Sequence, residues 1–517
     1  MPHLDRQGTA TRLIVDGKPF LIRGGELGNS SFTSLEYMAS VWPKLRAMNL
    51  NTLLVPVYWE LIEPEEGRFD WALLDELMQA ARERDFRLVL LWFASYKNSM
   101  SSHVPAWVKL DQDRFPRAQD DEGISQEILT PFSGANLEAD KRAFVALMEH
   151  VEAFNREERT VIMVQPENEI GMLPTARDHH PLADRAFAEA VPRELLDYLT
   201  AHRDSLVPEF RARWEAAGGK KRGTWEEVFG AGSYTEEIFM AWYFAKYVNA
   251  IASAGKEAYP LPMYANAALN APGREPGDYP SAGPLPHLMD VWKAAGKGID
   301  FLAPDFYNPR FKHWNDLYTR QGDPLFVPEH RFDSTVAAKA AYVFGHYQGI
   351  GFSPFSIEST ERAEEEELGK LYALVEQLAP QITAAQGSDN LEGVLLDKTT
   401  PDTTLTFGPY TFTVKHSYTL GWEAGSSREN WPPGAAIFVR SADNEWFVLG
   451  SGIVVTFDNQ EEPELRTGIL RNEEGRFADG EWKVIRYMNG DQIHQGRHIA
   501  IFEGDWSIQR LELYDYR

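Results

Sequence analysis

Short apolar runs, several rich in β-branched residues, recur through the first three-quarters of this chain, and between them lie stretches with helical periodicity. That alternation limits the fold more than any other feature. A strand that is apolar on both faces belongs to a parallel sheet covered on each side. Strand-like segments of this kind lie within 51–57, 86–92, 160–169, 261–264, 299–303, 325–327 and 351–355, and Gly24-Gly25-Glu26, fed by an N-terminal hairpin, precedes them. The intervening helical patterns include Trp71, Leu74, Leu77, Met78 and Ala81, and a last one carries Leu368, Leu371, Leu374, Val375 and Leu378. About eight βα units predict a (β/α)8 TIM barrel. A hairpin over 11–23, turning at Asp16-Gly17, precedes the first strand. A helical insertion at about 172–233 is expected to shape the rim of the barrel mouth.

From about Asn390 the hydrophobic period becomes two. Runs at 403–414, 435–439, 446–457, 482–487 and 507–513 read as strands, with Asn489-Gly490 as a hairpin turn. The expectation is a catalytic barrel over 1–388 and an antiparallel, sandwich-like β-domain over 389–517, the latter bracing the barrel and leaving room for a homo-oligomer.

The net charge of −26 argues against nucleic acid or an anionic membrane as partner, and weighs against an acidic polysaccharide substrate. No apolar run approaches a membrane span, and no signal peptide is visible, so no membrane partner is expected. The absence of cysteine excludes thiol nucleophiles, disulfides and Cys-ligated metals, and leaves the compartment open. His179-His180 lacks a companion at metal-ligand spacing, so no metal is expected. With no phosphate loop, dinucleotide fingerprint or Gly-x-Ser-x-Gly elbow in a suitable context, no cofactor is expected.

Two carboxylates stand where a barrel places its chemistry, just past the C-terminal ends of strands. Glu169 closes Gln165-Pro166-Glu167-Asn168-Glu169, and Glu329 closes Leu325-Phe326-Val327-Pro328-Glu329. Breaking a glycosidic bond with retention needs one protonated carboxyl and one ionised carboxylate about 5 Å apart. Glu169 is assigned as acid/base and Glu329 as nucleophile. Asn168 offers an amide to the sugar 2-OH, a contact that tightens in an oxocarbenium-like transition state. The partner is then a glycoside or oligosaccharide. His330 lies on the opposite side of its strand from Glu329 and is set behind the site.

Beyond these residues, the chain resembles glycoside hydrolase family 35, the β-galactosidases of the retaining TIM-barrel clan, in the bacterial branch with a short C-terminal β-domain. The resemblance rests on Gly25-Glu26-Leu27, on Tyr58-Trp59-Glu60-Leu61-Ile62-Glu63-Pro64 with Gly67-Arg68-Phe69-Asp70, and on Gln165-Pro166-Glu167-Asn168-Glu169-Ile170-Gly171. It implies cleavage of terminal β-D-galactosides by double displacement. It also implies that Tyr307 hydrogen-bonds the nucleophile and that Tyr58 and Glu63 bind the sugar's polar edge. Asn266 is a further substrate-binding candidate, and Trp92, Tyr96 and Trp107 are candidates for the cleft wall. The family's Cys-Ala-Glu segment is replaced here by Trp92-Phe93-Ala94-Ser95-Tyr96-Lys97-Asn98. β-Glucosidase or transglycosylase activity therefore stays open as an alternative, as does a non-catalytic carbohydrate-binding barrel.

Overall fold

The computed structural model describes residues 1–156 and 158–517. Eight parallel strands form the barrel: β1 (Ile22–Glu26), β2 (Thr52–Tyr58), β3 (Arg87–Lys97), β4 (Val161–Asn168), β5 (Tyr264–Ala268), β6 (Phe301–Phe306), β7 (Phe326–His330) and β8 (Gly351–Pro354). Their spatial order is 5-6-7-8-1-2-3-4. One parallel bridge, Val164 to Met263, joins β4 to β5, where Val164 N–H donates to the Pro262 carbonyl at 3.0 Å. Pro166 has no N–H to continue that seam, so the barrel is thinnest there.

The main helix of each unit covers the outside. These are α1 (Leu35–Ala47), α2 (Ala72–Arg82), α3 (Gly134–Phe154), α4 (Ser233–Ala258), α5 (Met289–Ala295), α6 (Phe311–Thr319), α7 (Val336–Gly345) and α8 (Glu367–Ala385). Serine caps start two of them. Ser34 accepts from Tyr37 N–H and Ser133 from Asn136 N–H, each satisfying a backbone donor that a helix start leaves free. α2 buries Leu74, Leu77, Met78 and Ala81, the stripe read from the sequence. The lumen is packed with Ile22, Leu54, Val89, Leu91, Ile162, Tyr264, Phe301 and Phe326, and Leu13 and Val15 of the N-terminal hairpin join that cluster. The hairpin turns at Asp16-Gly17 with φ of 52° and 74°, as expected. Between β4 and α4 lie short helices Pro181–Ala188, Arg193–Ala201, Pro208–Ala216 and Trp225–Phe229.

Two antiparallel sheets follow α8. The six-stranded sheet runs Leu391–Leu396, Gly434–Ala442, Glu445–Ser451, Ser507–Tyr516, Arg466–Ala478, Glu481–Tyr487 in spatial order. The four-stranded sheet runs Asp402–Phe407, Tyr410–His416, Ile453–Asn459, Ile499–Ile501. Phe407, Phe412, Phe438, Trp446, Val455 and Leu511 fill the space between them as a sandwich core. Two expected long strands are each divided. The run 403–414 folds back between Phe407 and Tyr410, and 446–457 divides at Gly452, whose φ of +70° carries the chain from one sheet to the other. The hairpin turn lies at Asp479-Gly480, not at Asn489-Gly490: both 479 and 480 have positive φ, whereas Asn489 is extended and precedes a 3-10 turn.

The outer face of the six-stranded sheet packs on α7 and α8, and Ala435, Ile437, Val439, Phe447 and Leu449 join the barrel's outer core. Contact is closest at two glycines, where a Cβ on Gly345 would meet the Gly393 Cα at 2.7 Å. Gly345→Val is therefore expected to destabilise the protein by about 1–3 kcal/mol, the usual range for overpacking, read as a lowered urea midpoint. An unchanged midpoint would contradict backbone-to-backbone packing at this seam.

Candidate active site

The end of β4 has an unusual backbone. Glu167 and Glu169 have φ of 61° and 43°, the left-handed region that side chains with a Cβ rarely occupy. Each such residue stores about 1–3 kcal/mol of strain, which surrounding contacts must hold. The result is that neighbouring side chains part company. Glu167 turns into the outer layer, where its Oε2 accepts Tyr96 N–H at 2.8 Å, and Glu169 belongs to the carboxyl cluster at the barrel mouth. Asn168 Oδ1 accepts from Lys97 Nζ at 2.8 Å. The turn after β3 grips this one: Asn98 Nδ2 donates to Glu169 Oε2 and Ser99 Oγ to the Glu169 carbonyl, both at 2.6 Å.

β5, β6 and β7 complete the constellation. Asn266 accepts Glu169 N–H at 2.9 Å through Oδ1 and donates to Asp305 Oδ2 at 2.6 Å through Nδ2. Asp305 stands opposite Glu329 in the β6–β7 register. The Tyr307 hydroxyl donates to Glu329 Oε1, while its ring stays exposed on the rim. Oxygens of Glu169, Asp305 and Glu329 all lie within 4.8 Å of one another. Glu26, ending β1, lies close enough to act on this cluster electrostatically, and Glu358, after β8, acts in turn on Glu26. Glu358 accepts Gly28 N–H at 2.9 Å and the Ser31 hydroxyl.

Charge is crowded here. Burial, followed by repulsion from Glu169, raises Glu329 to about 7, against the opposing pull of the Tyr307 hydroxyl and Lys97. Burial also raises Glu169, with Lys97, Asp305 and Asn98 acting the other way. Glu26 and Asp305 are pushed well above the carboxylate range, first by burial and then by Glu329. Such neighbours titrate together, and protons are retained among them at neutral pH. Several buried polar atoms beside them have no partner among the described residues: Asn168 Nδ2, Glu26 Oε1, Asp305 Oδ1, Glu358 Oε2 and Asn29 Oδ1. Unpaired buried donors and acceptors are costly, and a polyhydroxylated ligand is of the chemistry that would satisfy them.

Five of the residues singled out from sequence meet here: Asn168, Glu169, Asn266, Tyr307 and Glu329. Trp92 and Tyr96 do not. The lumen takes Val89, Leu91 and Phe93, so alternation turns Trp92 outward, where Nε1 donates to Asp140 Oδ1 at 2.9 Å. Tyr96 is outward too, edge-on to Phe244 and Tyr247. Trp107 packs on Trp59 and Phe115. Glu63 is fully buried and occupied by Trp59 Nε1, Gly67 N–H and Arg142, a structural arrangement away from the carboxyl cluster. Tyr58 packs at the top of the lumen against Phe93 and donates to the Asn29 carbonyl at 2.5 Å. His330 turns toward Phe311 and Lys339, on the helical side.

Glu26, Lys97, Asn98, Asp305 and Glu358 were missed as site residues. Asp305 had a readable signal, because it lies two positions before Tyr307 and thus on the same face of an extended strand. Three close carboxyls could begin a hard-cation site. Such ions take about six or more oxygens, and here the next neighbours are the donors Asn98, Tyr307 and Lys97. The arrangement suits proton transfer and nucleophilic attack instead.

Comparison with known proteins bears on the barrel and the tail separately. Residues 37–229 match the model of glycoside hydrolase family 42, described as beta-galactosidase, and residues 368–500 match DUF5597, a domain of unknown function. A beta-galactosidase of Xanthomonas manihotis is 27% identical over 187 residues, 35% of this chain and 28% of that protein. Among solved structures, the beta-galactosidase of Marinomonas ef1 is similar at a TM-score of 0.48 and 14% identity, over 70% of this chain and 60% of its own. That of Bacillus circulans sp. alkalophilus gives 0.48 and 13%, over 70% and 57%. The chain thus spans under a third of that curated relative and about three-fifths of these structures. Residues 37–229 are thus similar to glycoside hydrolases, and the matching model is that of family 42, not the family 35 that the motifs resemble.

The raised Glu329 has a measurable consequence. Its folded pKa exceeds the unfolded one, so it favours folding below about pH 4.5 and that contribution is lost as pH rises toward about 7. Glu329→Gln lacks this dependence and keeps an acceptor for Tyr307. The variant is expected to be more stable than the parent at pH 8, by roughly 1–3 kcal/mol, with the gap closing by pH 4.5. Parallel stability–pH curves for the two would contradict the electrostatic crowding.

Proposed function

We propose that this chain is a retaining glycoside hydrolase that cleaves terminal non-reducing β-D-galactosides by double displacement. The observation carrying this reading is the approach of Glu169 and Glu329 to within 4.8 Å. Inverting enzymes hold their two carboxyls about 6.5–9.5 Å apart to admit a water, whereas retaining ones hold them about 5 Å apart. Glu329 attacks the anomeric carbon while Glu169 passes its proton to the departing glycosidic oxygen, giving a covalent glycosyl-enzyme and a free alcohol. Glu169, now ionised, takes a proton from water as that water attacks the anomeric carbon. The sugar leaves with its configuration retained, and Glu329 is released as carboxylate.

The Tyr307 hydroxyl supports the ionised form of Glu329 and orients it. Asn168 is held through Oδ1 by Lys97, which leaves its unpaired Nδ2 free to donate to the sugar 2-OH. Galactose as the sugar rests on the family-42 match to 37–229 and on the family-35 likeness of Gln165 to Gly171. The replaced third-strand segment, which supplies Lys97 and Asn98 to the site, is the feature that favours the second reading, a β-glucosidase or β-glycosyltransferase.

Rates on matched aryl β-galactoside and β-glucoside test the proposal, with Glu329→Gln as control. The expected outcome is galactoside preference and a loss of more than about a thousandfold in the variant, some 4 kcal/mol of barrier. Preference for glucoside, or turnover only with an added sugar acceptor, would replace the substrate and keep the two acids. An inverted anomer as first product would overturn double displacement. Binding without turnover in the parent protein would make the barrel a carbohydrate-binding one.

A further inference from the structure

A groove of about 710 Å³ lies between the β6–β7 side of the barrel mouth and the sandwich. Tyr307, Arg310, Lys312, Arg331 and Lys339 line its barrel side, and Leu395, Leu396, Trp431 and Pro433 its sandwich side. Its charge is opposite in sign to that of the whole chain. Arg310, Lys312, Arg331 and Lys339 face it, against only Asp333 and Asp397, in a protein whose net charge is −26. Both acids are already occupied by local hydroxyl and backbone donors, Asp333 from Thr335 and Asp397 from Thr399 and Thr400. None of the four cations forms an ion pair among the described residues.

Lys312 is spent on the Leu395 carbonyl at 2.7 Å. Lys339 gives one N–H to His330 Nε2 at 3.1 Å. Burial holds its ammonium below the usual lysine range, and Arg331 adds repulsion that Asp333 opposes. The Arg331 guanidinium is exposed and stands 5.7 Å from the centre of the Tyr307 ring. Arg331 and Lys339 thus act on each other as like charges, with Asp333 as the nearby anion and no ion pair to either among the described residues, and Arg331 stands over a ring whose hydroxyl contacts Glu329. Like charges repel unless an anion comes between them, and a planar guanidinium beside an ammonium matches carboxylate or sulfate oxygens.

We propose that this groove is a substrate subsite for an oxyanion on the glycan, a uronate carboxylate or a sulfate ester, next to the sugar held at Glu169 and Glu329. The inference rests on the glycosidase reading and narrows its substrates to acidic glycans. Tyr307 is the link, since it belongs to both the groove and the nucleophile.

The test compares a β-galactosyl uronate disaccharide, its methyl ester and a β-galactosyl disaccharide sulfated on the second sugar. The parent enzyme is expected to favour an acidic form over the ester by about tenfold or more in kcat/KM, less so in high salt. Arg331→Gln or Lys339→Gln is expected to bring that ratio toward one, and Arg331→Gln, at an exposed position, guards against misfolding of the other. Whichever acidic form is preferred identifies the oxyanion. Equal rates on acid and ester, with the neutral aryl β-galactoside still cleaved, would overturn the subsite and leave the proposed reaction standing. If the aryl galactoside is not cleaved, the reaction fails, and inorganic sulfate decides the groove. A rise in melting temperature in the parent but not in Arg331→Gln supports it, and equal rises overturn it.

Discussion

Four carboxyls, those of Glu26, Glu169, Asp305 and Glu329, are buried together at one end of the barrel with a single buried ammonium, Lys97, among them. Much of the surrounding structure serves to keep that crowd in place. A parallel barrel brings it about, because every strand delivers its C-terminal end to the same mouth. The acids come from β1, β6 and β7 and from just past β4. Separated from water, they cannot all be ionised. The cost is offset by the apolar lumen beneath and the helical layer outside. It is contained locally by fixed donors: Asn98 Nδ2 to Glu169, Asn266 Nδ2 to Asp305 and the Tyr307 hydroxyl to Glu329.

Backbone strain at 98, 99, 167 and 169 belongs to the same arrangement. Left-handed residues at these two strand ends accompany a break in the β3–β4 register and send successive side chains to different layers. Glu167 can then sit near Asp140 in the outer shell while Glu169 reaches the mouth. A regular extended strand would put residues 167 and 169 on one face, with a fifth acid among the four.

This irregularity also sets what the sequence could reveal. Most of the barrel strands were legible because a strand covered on both faces is apolar throughout, and Glu169 and Glu329 were legible because they follow such runs directly, whereas Tyr307 came from the family resemblance. For the same reason the faces were not legible. With Leu90, Leu91, Trp92 and Phe93 all apolar, no alternation distinguishes lumen from helix layer, so Trp92 and Tyr96 were placed in the cleft although they line the outside. Lys97 and Asn98 escaped notice because β3 extends five residues past Trp92, through an irregularity that polar residues disguise as loop. In the tail, Arg466–Ala478 was missed because charged and polar residues interrupt it, although it pairs with Glu481–Tyr487 across a tight hairpin on one side and with the distant Ser507–Tyr516 on the other.

The sandwich has a place in this argument beyond its own stability. Its six-stranded sheet is fixed to α7 and α8, and α7 begins just after the segment that carries Glu329, His330 and Arg331. The same sheet continues into Leu395 and Leu396, which wall the cationic groove beside Tyr307. Net charge governs long-range encounter and solubility. It says little about a cleft with low-dielectric walls, where a few unpaired cations set the local potential. A chain of charge −26 can therefore discourage polyanions in general while keeping one place where a single anionic group, attached to the right sugar, is favoured. At that seam Lys312 ties the barrel side of the groove to the sandwich through the Leu395 carbonyl.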